Sequence, residues 1–180
     1  MLEISVFITN RGEKNLEQCM KILSGINDKR IDFNIYGNIE DKDYWGKCRS
    51  YIPQMTENIR VKYCGEVKPD DVEKGFKEHD VFLFPTRGEN FGHVIYEALS
   101  VGCIPIISDQ TPWSDFDIYD CGYIVPINDI DVFRKDICEL ADKNGKNLVE
   151  IKTNAIKYAQ QSYNRIVQNT GYNRVFLALR

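Results

Sequence analysis

Residues 85–105 read PTRGENFGHVIYEALSVGCIP, and this stretch decides the fold. It follows the apolar run Val81–Phe84 and predicts a strand end, a glycine-containing loop, a helix over Gly92–Val101 and a new strand at Ile104. A helix that begins near Gly92 offers unpaired backbone N–H groups and a partial positive charge, which together attract anions. The stretch therefore predicts a phosphate site at a strand-to-helix junction.

Two glutamates lie eight positions apart at this junction, Glu89 on the loop and Glu97 inside the helix. Helical spacing places Glu97 on a polar stripe with His93 and Ser100, opposite the face that packs on the sheet. A rise of about 1.5 Å per residue puts Glu97 roughly 7 Å along the axis from Gly92, about the span from a diphosphate to the far side of a ribose. A carboxylate accepts two hydroxyl donors, so Glu97 suits a vicinal diol, although a solvated helix residue would have the same spacing.

Around this stretch, short apolar runs alternate with helical patterns. The alternation predicts a Rossmann-like three-layer α/β/α domain with a mostly parallel sheet of about six strands. The predicted strands are Leu2–Ile8, Phe33–Tyr36, Ile59–Tyr63, Val81–Phe84, Ile104–Ile107 and Tyr123–Val125. Helices are predicted at Asn15–Leu23, Tyr44–Ile52 (ended by Pro53), Asp70–Lys77, Gly92–Val101, Ile130–Asp142, Leu148–Gln161 and Asn164–Leu179. In such sheets a ligand binds beyond the carboxyl ends of the strands.

The composition is that of an ordinary globular protein. The chain has 180 residues, 43% hydrophobic and 28% charged, with a net charge of −4. These values predict one domain over residues 1–180, with C-terminal helices from about residue 147. Lysine and arginine are scattered through a weakly acidic chain, which argues against nucleic acid as a partner.

The cysteines and the N-terminal sequence indicate in which cellular compartment the protein works. The six cysteines include no C-x-x-C pair and no histidine at ligand spacing, so we predict free thiols and no zinc site. The N-terminus lacks a signal-peptide pattern, and no apolar run approaches the length that spans a membrane. We therefore expect a cytoplasmic protein, and the sequence leaves open a peripheral membrane association of a longer enzyme.

Several segments in order along nearly the whole chain resemble glycosyltransferase family 4, the group 1 enzymes with the GT-B fold. The family's E-x7-E signature is matched by Glu89–Leu99. The wider similarity covers Val61–Gly65, Asp80–Thr86, Gly102–Trp113 and Gly122–Tyr123. The resemblance implies the C-terminal, donor-binding half of a retaining enzyme. Such an enzyme would transfer a hexose-type sugar from a UDP- or GDP-linked donor, in the synthesis of a cell-surface polysaccharide or glycoconjugate.

The resemblance also implies roles for single residues. Glu89 would be catalytic, in contact with the donor sugar near the reaction centre, and Glu97 would bind the ribose hydroxyls. Backbone N–H groups would hold the diphosphate, at Phe91, Gly92, His93 and Val94. Lys14 matches a basic residue that neutralises the diphosphate, and Arg11 in the same loop is a further donor-binding candidate. The departing diphosphate gathers negative charge that fixed cations and N–H groups stabilise, so we expect no metal or other cofactor.

One departure from the family pattern keeps a second function open. Members commonly carry an arginine five positions before the lysine, where this chain has Thr9. Thr9 favours the alternative that the chain is a non-catalytic interaction or scaffold domain that retains the fold. A third alternative is a dinucleotide-binding domain, but no G-x-G-x-x-G follows the first strand.

Enzymes with the GT-B fold hold acceptor and donor on two facing domains, and this chain resembles only the donor half. We therefore expect an N-terminal acceptor domain to be absent, either because the chain is part of a longer enzyme or because it is a stand-alone half. The isolated half should bind donor but should be inactive or weakly active, since the acceptor site and a water-excluding cleft are missing.

Overall fold

The computed structural model describes residues 1–7, 14–143 and 145–169. Its strands are β1 (Leu2–Phe7), β2 (Ile31–Tyr36), β3 (Ile59–Gly65), β4 (Val81–Phe84), β5 (Ile104–Ser108) and β6 (Tyr123–Val125). Its helices are α1 (Leu16–Leu23), α2 (Lys42–Arg49), α3 (Pro69–Lys77), α4 (His93–Ser100), α5 (Phe116–Tyr119), α6 (Ile130–Asp142) and α7 (Gly145–Asn169). A 3-10 turn follows α2 at Ile52–Gln54.

The strands form one sheet in the order β3-β2-β1-β4-β5-β6, and every neighbouring pair is parallel. The prediction of a Rossmann-like α/β/α domain is confirmed, with a sheet that is parallel throughout. The chain order reverses between β1 and β4, so the loops that leave these two strands diverge and open a crevice. A doubly wound sheet binds its ligands at this point.

The sheet carries a separate hydrophobic core on each face. On one face α1, α2 and α6 pack around β1 and β2, with Leu16, Met20 and Leu23 of α1 fully buried. On the other face α3, α4, α5 and α7 cover β4 and β5. Strand β4 is buried along its whole length and lies in the middle of the sheet, as its apolar sequence predicts. The helices on both faces of the sheet therefore fix β4, the strand whose end leads into the candidate site.

Helix α2 ends earlier than predicted and for a different reason. Pro53 was expected to end a helix over Tyr44–Ile52, but α2 ends at Arg49 and Pro53 lies inside the following 3-10 turn. Asp41 caps the start of α2, because its carboxylate accepts the N–H of Tyr44 at 2.8 Å. A proline is compatible with the first positions of a helical turn, since its missing N–H would have no partner there.

The C-terminal helices were predicted as two, and the described residues contain one. Helix α7 runs through the predicted break at residues 162–163 without interruption. That stretch contains no glycine or proline, so nothing in it prevents the helical hydrogen bonds from continuing. Ala155 and Ala159 of α7 are buried against α4. The predicted helix beyond residue 169 and the last residue of the predicted first strand, Ile8, lie outside the described residues.

Within the described part of the chain, no helix has both the length and the apolar character that crossing a bilayer requires.

Candidate functional site

The loops that leave β1, β4 and β5 are joined by hydrogen bonds at the carboxyl end of the sheet. Asn15, just after the β1 loop, donates its side-chain amide to the carbonyl of Pro85 at 3.0 Å. Across the next gap, the N–H of Glu89 donates to the carbonyl of Gln110 at 3.1 Å. These two bonds join the loops that leave β1, β4 and β5 into one group. The loops after β2 and β3 contact each other, through the Gly37 N–H and the Gly65 carbonyl at 2.8 Å.

The loop after β4 begins with a buried threonine that fixes its path. The Thr86 hydroxyl donates to the carbonyl of Gly88 at 2.9 Å, and the Ser108 hydroxyl donates to the carbonyl of Thr86 at 2.6 Å. Both hydroxyl-bearing residues are fully buried. The turn therefore presents Glu89 at a defined place, directly above the end of β4.

Glu89 forms an ion pair with Lys14. The Lys14 Nζ lies 2.5 Å from Oε2 of Glu89, and the two side chains are only 18% and 16% exposed. The same ammonium lies 4.9 Å from the centre of the Phe84 ring, a cation–π contact. A pair so shielded from water is screened less than a surface salt bridge, so it holds both charges in place.

The second oxygen of Glu89 lies at the beginning of α4. Oε1 accepts the backbone N–H groups of Phe91 at 3.3 Å and of Gly92 at 3.2 Å. Burial raises the pKa of Glu89, but Lys14 and these two N–H groups outweigh the burial, so the pKa lies below its ordinary value. The carboxylate is therefore ionised at neutral pH. It occupies donors of the kind that a phosphate oxygen would use.

Gly92 is the N-cap of α4 and requires glycine for two reasons. Its φ of 70° is left-handed, and an added Cβ would lie 2.4 Å from Nε1 of Trp113. The first two N–H groups of the helix, those of His93 and Val94, have no acceptor among the described residues. The N-terminus of α4 thus offers two free donors and two that Glu89 occupies.

The predicted polar stripe on α4 is confirmed. His93 and Glu97 are exposed, while Ile95, Ala98 and Leu99 face the core. Partial burial of its carboxyl raises the pKa of Glu97, and the nearby His93 opposes this by less. The ring of His93 stacks on the exposed Phe91 ring, with centroids 5.8 Å apart and planes 22° from parallel. The imidazole therefore lies beside the helix start, whereas the backbone N–H is one of the two free donors of α4.

A depression of about 330 Å³ opens at the Lys14–Glu89 pair, lined by Lys14, Arg87, Gly88, Glu89 and Asn90. Arg87 was not among the predicted site residues, although it stands two residues before Glu89 on the same loop. With Lys14 it supplies a second cation to this depression. Its position after a buried strand and before the helix could have indicated it.

The structure does not place every predicted site residue. Arg11 and Thr9 lie outside the described residues, so the donor-binding role of Arg11 stays a prediction. Trp113 packs against Phe116 and Tyr158, with ring centroids 5.8 Å apart in both pairs. It supports the start of α4 from the side and leaves its indole N–H without an acceptor in the described part of the chain.

The described residues contain two further kinds of chemically active group, metal-ligating side chains and thiols. No three side chains among their histidine, cysteine, aspartate and glutamate residues are grouped so that they could hold a metal ion. All six cysteines are free thiols, and four of them are buried. For Cys48 and Cys121, burial raises the pKa to about 11 and about 12, which keeps both thiols protonated and unreactive at neutral pH.

Comparison with known protein sequences identifies one family. Residues 4–162 match the model of a family described as glycosyl transferases group 1. No curated protein sequence matches the chain.

Among solved structures, HepE from Anabaena in complex with UDP and glucose has a TM-score of 0.79 and 16% identity, over 98% of this chain and 48% of that one. TarM from S. aureus has a TM-score of 0.74 and 17% identity, over 89% of this chain and 32% of its own. The C-terminal domain of the group 1 glycosyl transferase LpcC from Francisella tularensis has a TM-score of 0.75 and 17% identity, over 90% and 86%. The chain thus spans about a third of TarM and half of HepE, and these likenesses concern the fold.

Proposed function

Because the chain belongs to the family of glycosyl transferases group 1, we propose that it is the domain that binds a nucleotide-diphosphate sugar. The observation that carries the proposal is the carboxylate of Glu89, held by Lys14 and by two N–H groups at the start of α4. A cation and a helix N-terminus directed at one point form an anion site. HepE, which has a similar fold, is known in complex with UDP-glucose.

We infer that the diphosphate enters this site by exchange. Its oxygens would take the N–H groups of Phe91, Gly92, His93 and Val94 and the ammonium of Lys14. Glu89, released from these partners, would turn toward the donor sugar. Two of the four N–H groups are free and the other two bonds are 3.2 Å or longer, so the exchange breaks few strong interactions. Arg87 lines the same depression and would add a second positive charge.

Charge separation is the step that these groups assist. When the bond between the sugar and the diphosphate breaks, negative charge moves onto the departing phosphate. Lys14 and the N–H groups are already in place to stabilise that charge, so little reorganisation is needed during the reaction. Glu97, exposed one turn further along α4, would accept the two ribose hydroxyls.

The finer features of the reaction rest on the family resemblance. We propose membership of glycosyltransferase family 4, a retaining reaction, a hexose-type sugar linked to UDP or GDP, and no requirement for a metal. The product would be a cell-surface polysaccharide or glycoconjugate. The acceptor would bind a separate N-terminal domain, and this chain alone would transfer sugar weakly or not at all. Free thiols agree with a cytoplasmic location. The longer enzyme would have a peripheral contact with the membrane.

Calorimetric titration with UDP, UDP-glucose, GDP and GDP-mannose tests the donor site. We expect one diphosphate to bind, and Glu97→Gln to weaken it about tenfold because a charged acceptor for two hydroxyls is lost. Glu150→Gln, an exposed glutamate on α7, is the matched control and should bind as the original chain does. If none of the four ligands binds, the donor-site proposal is wrong.

The alternative is a scaffold domain that retains the fold without catalysis, and the observation in its favour is Thr9 at the family's arginine position. The two functions differ in what Glu89 does. In a protein that includes the acceptor domain, Glu89→Ala should abolish sugar transfer if Glu89 contacts the reaction centre. Transfer at an undiminished rate would remove Glu89 from catalysis and favour the scaffold.

A further inference from the structure

A second concave site lies beside the edge strand β6. It is a groove of about 570 Å³ between the loop after β5, helix α5, strand β6 and helix α6. Four carboxylates line it, and its aromatic side chains are Trp113 and Tyr123. The carboxylates are Asp109, Asp117, Asp120 and Asp136. No lysine, arginine or histidine belongs to the lining, so its charge is strongly negative.

Asp136 distinguishes this groove from an ordinary acidic surface. The residue is only 8% exposed, and its carboxylate has no hydrogen bond or ion pair with any residue that the structure describes. Burial raises its pKa to about 6, with Glu139 adding to the rise and Lys135 opposing it. A carboxylate that is shielded from most of the solvent and has no partner carries its charge at a cost, which a cation in the groove would lower. Asp136 is therefore a group whose partner the described chain does not supply.

The geometry of the groove favours an organic cation over a metal ion. Within the described residues, no three acidic or histidine side chains converge closely enough to coordinate a metal. The carboxylates instead stand apart around a space much larger than one ion. An ammonium or guanidinium group with an alkyl stem fills such a space, since its stem contacts aromatic rings while its N–H groups reach separate carboxylates.

Strand β6 indicates what carries the cation. It is the last strand of the sheet and has no neighbour beyond it in the described residues. The Val125 carbonyl accepts the Asp109 N–H at 2.9 Å and so points toward β5, which turns the N–H and carbonyl of Ile124 outward. Ile124 lies in the wall of the groove. An extended peptide can pair with these outward groups while it directs a side chain at Asp136.

We propose that the groove beside β6 binds an extended peptide segment whose lysine or arginine side chain pairs with Asp136. The site is separate from the depression at Lys14 and Glu89, and none of its lining residues belongs to that depression. Peptide binding in this groove does not require a nucleotide at the donor site.

Nuclear magnetic resonance on the whole chain tests the proposal with the peptide acetyl-Ala-Ala-Lys-Ala-Ala-amide. The chain has two tryptophans, so the indole N–H signal of Trp113 reports on the groove and that of Trp45 is an internal control. We expect the peptide to shift the Trp113 signal and the amides of Tyr123 and Ile124, and to leave Trp45 unchanged. A peptide with norleucine for lysine keeps the stem without the charge and should bind at least about tenfold more weakly.

Variants separate a specific site from general attraction to an acidic protein. Asp136→Asn should weaken lysine-peptide binding about tenfold. It should not impair folding, because it removes an uncompensated buried charge. Asp131→Asn removes the same charge from an exposed position on the same helix and should change binding less than about twofold.

Three results would overturn the proposal. Equal losses in the two variants would mean non-specific attraction, and unchanged binding in Asp136→Asn would remove Asp136 from the site. If n-butylammonium binds as tightly as the peptide, the pairing with β6 is wrong.

Discussion

At the scale of the residue, Glu89 is satisfied by groups that a phosphate would otherwise use. Its two oxygens take the ammonium of Lys14 and the N–H groups of Phe91 and Gly92. These contacts lower the pKa of Glu89 despite its burial, so the carboxylate is charged when the donor arrives. A negatively charged side chain in an anion site competes with the ligand. In our account Glu89 is therefore both a group for the reaction and an occupant to be displaced.

Because Glu89 competes with the diphosphate, we expect Glu89→Gln to strengthen UDP binding. The substitution keeps an oxygen that can accept N–H groups but removes the charge that attracts Lys14 and repels the diphosphate. UDP should bind about fivefold more tightly, the equivalent of about 1 kcal/mol of relieved repulsion, while sugar transfer by the enzyme with its acceptor domain should fall. Calorimetry measures the first effect. UDP binding that is unchanged or weaker would show that Glu89 is not a competitor.

Gly92 offers a test of how the start of α4 is built. Gly92→Ala should lower the free energy of unfolding by about 2 kcal/mol, because a left-handed φ is strained for alanine and the new Cβ meets the Trp113 indole. Thermal or denaturant unfolding measures the loss. The control is Gly88→Ala in the same loop, where an added Cβ would meet nothing within 4 Å. Similar stability of the two variants would contradict this description of the N-cap.

At the scale of the element, one buried glutamate joins α1 to α2. Glu17 forms ion pairs with Lys21 at 2.7 Å and with Lys47 at 2.9 Å, and it accepts the Tyr51 hydroxyl at 3.2 Å. The hydrogen bonds from Lys21 and Lys47 lower its pKa from 4.5 to about 2. This cluster fixes α1, and Lys14 lies two residues before that helix begins.

The lowered pKa gives Glu17 a pH-dependent role in stability. A carboxyl whose pKa is depressed by folding stabilises the fold above its unfolded pKa, and this contribution is lost as the pH falls through the folded value. Glu17→Gln should therefore cost about 1–3 kcal/mol of unfolding free energy at pH 7. The difference from the original chain should shrink between pH 4.5 and pH 2.

Denaturant unfolding across that pH range measures the effect. Glu73→Gln is the control, because its pair with Lys77 on α3 is exposed and should contribute almost nothing. A Glu17→Gln difference that stays constant down to pH 2 would contradict the role of its charge.

The elements differ in how well the sequence predicts them. Strands β4 and β6 and helix α6 have the predicted bounds, because each combines a clear apolar pattern with a sharp stop in the sequence. The end of α2 and the continuity of α7 were predicted wrongly. The first error came from taking Pro53 as the end of the helix, and the second from a break placed at residues 162–163, where no glycine or proline stands. Proline fits early in a helical turn, and polar residues continue a helix that other positions anchor.

The sequence predicts those parts of the candidate site that depend on local periodicity. The position of Gly92 before a helix and the outward face of Glu97 follow from local periodicity. The pairing of Lys14 with Glu89 joins residues 75 positions apart and depends on the side-by-side arrangement of β1 and β4. Periodicity does not report contacts of that range, and it gave no sign of Asp136, whose isolation arises from tertiary burial.

At the scale of the molecule, the topology explains why an anion site forms here. The reversal of strand order between β1 and β4 leaves space between their loops, and Lys14 and Glu89 come from the two sides of that space. Cores on both faces hold β4, so the start of α4 is fixed before any ligand binds. A site assembled in advance in this way loses little conformational freedom on binding.

Nuclear magnetic resonance can show directly where on this chain a diphosphate binds. Titration of the isotope-labelled chain with UDP, followed by backbone amide resonances, reports on every described N–H group at once. Our account predicts saturable shifts that are largest at Gly92, His93 and Val94, with the side-chain signals of Lys14 and Glu89 changing at the same UDP concentration. Binding that leaves these amides unchanged and shifts another surface would contradict the account.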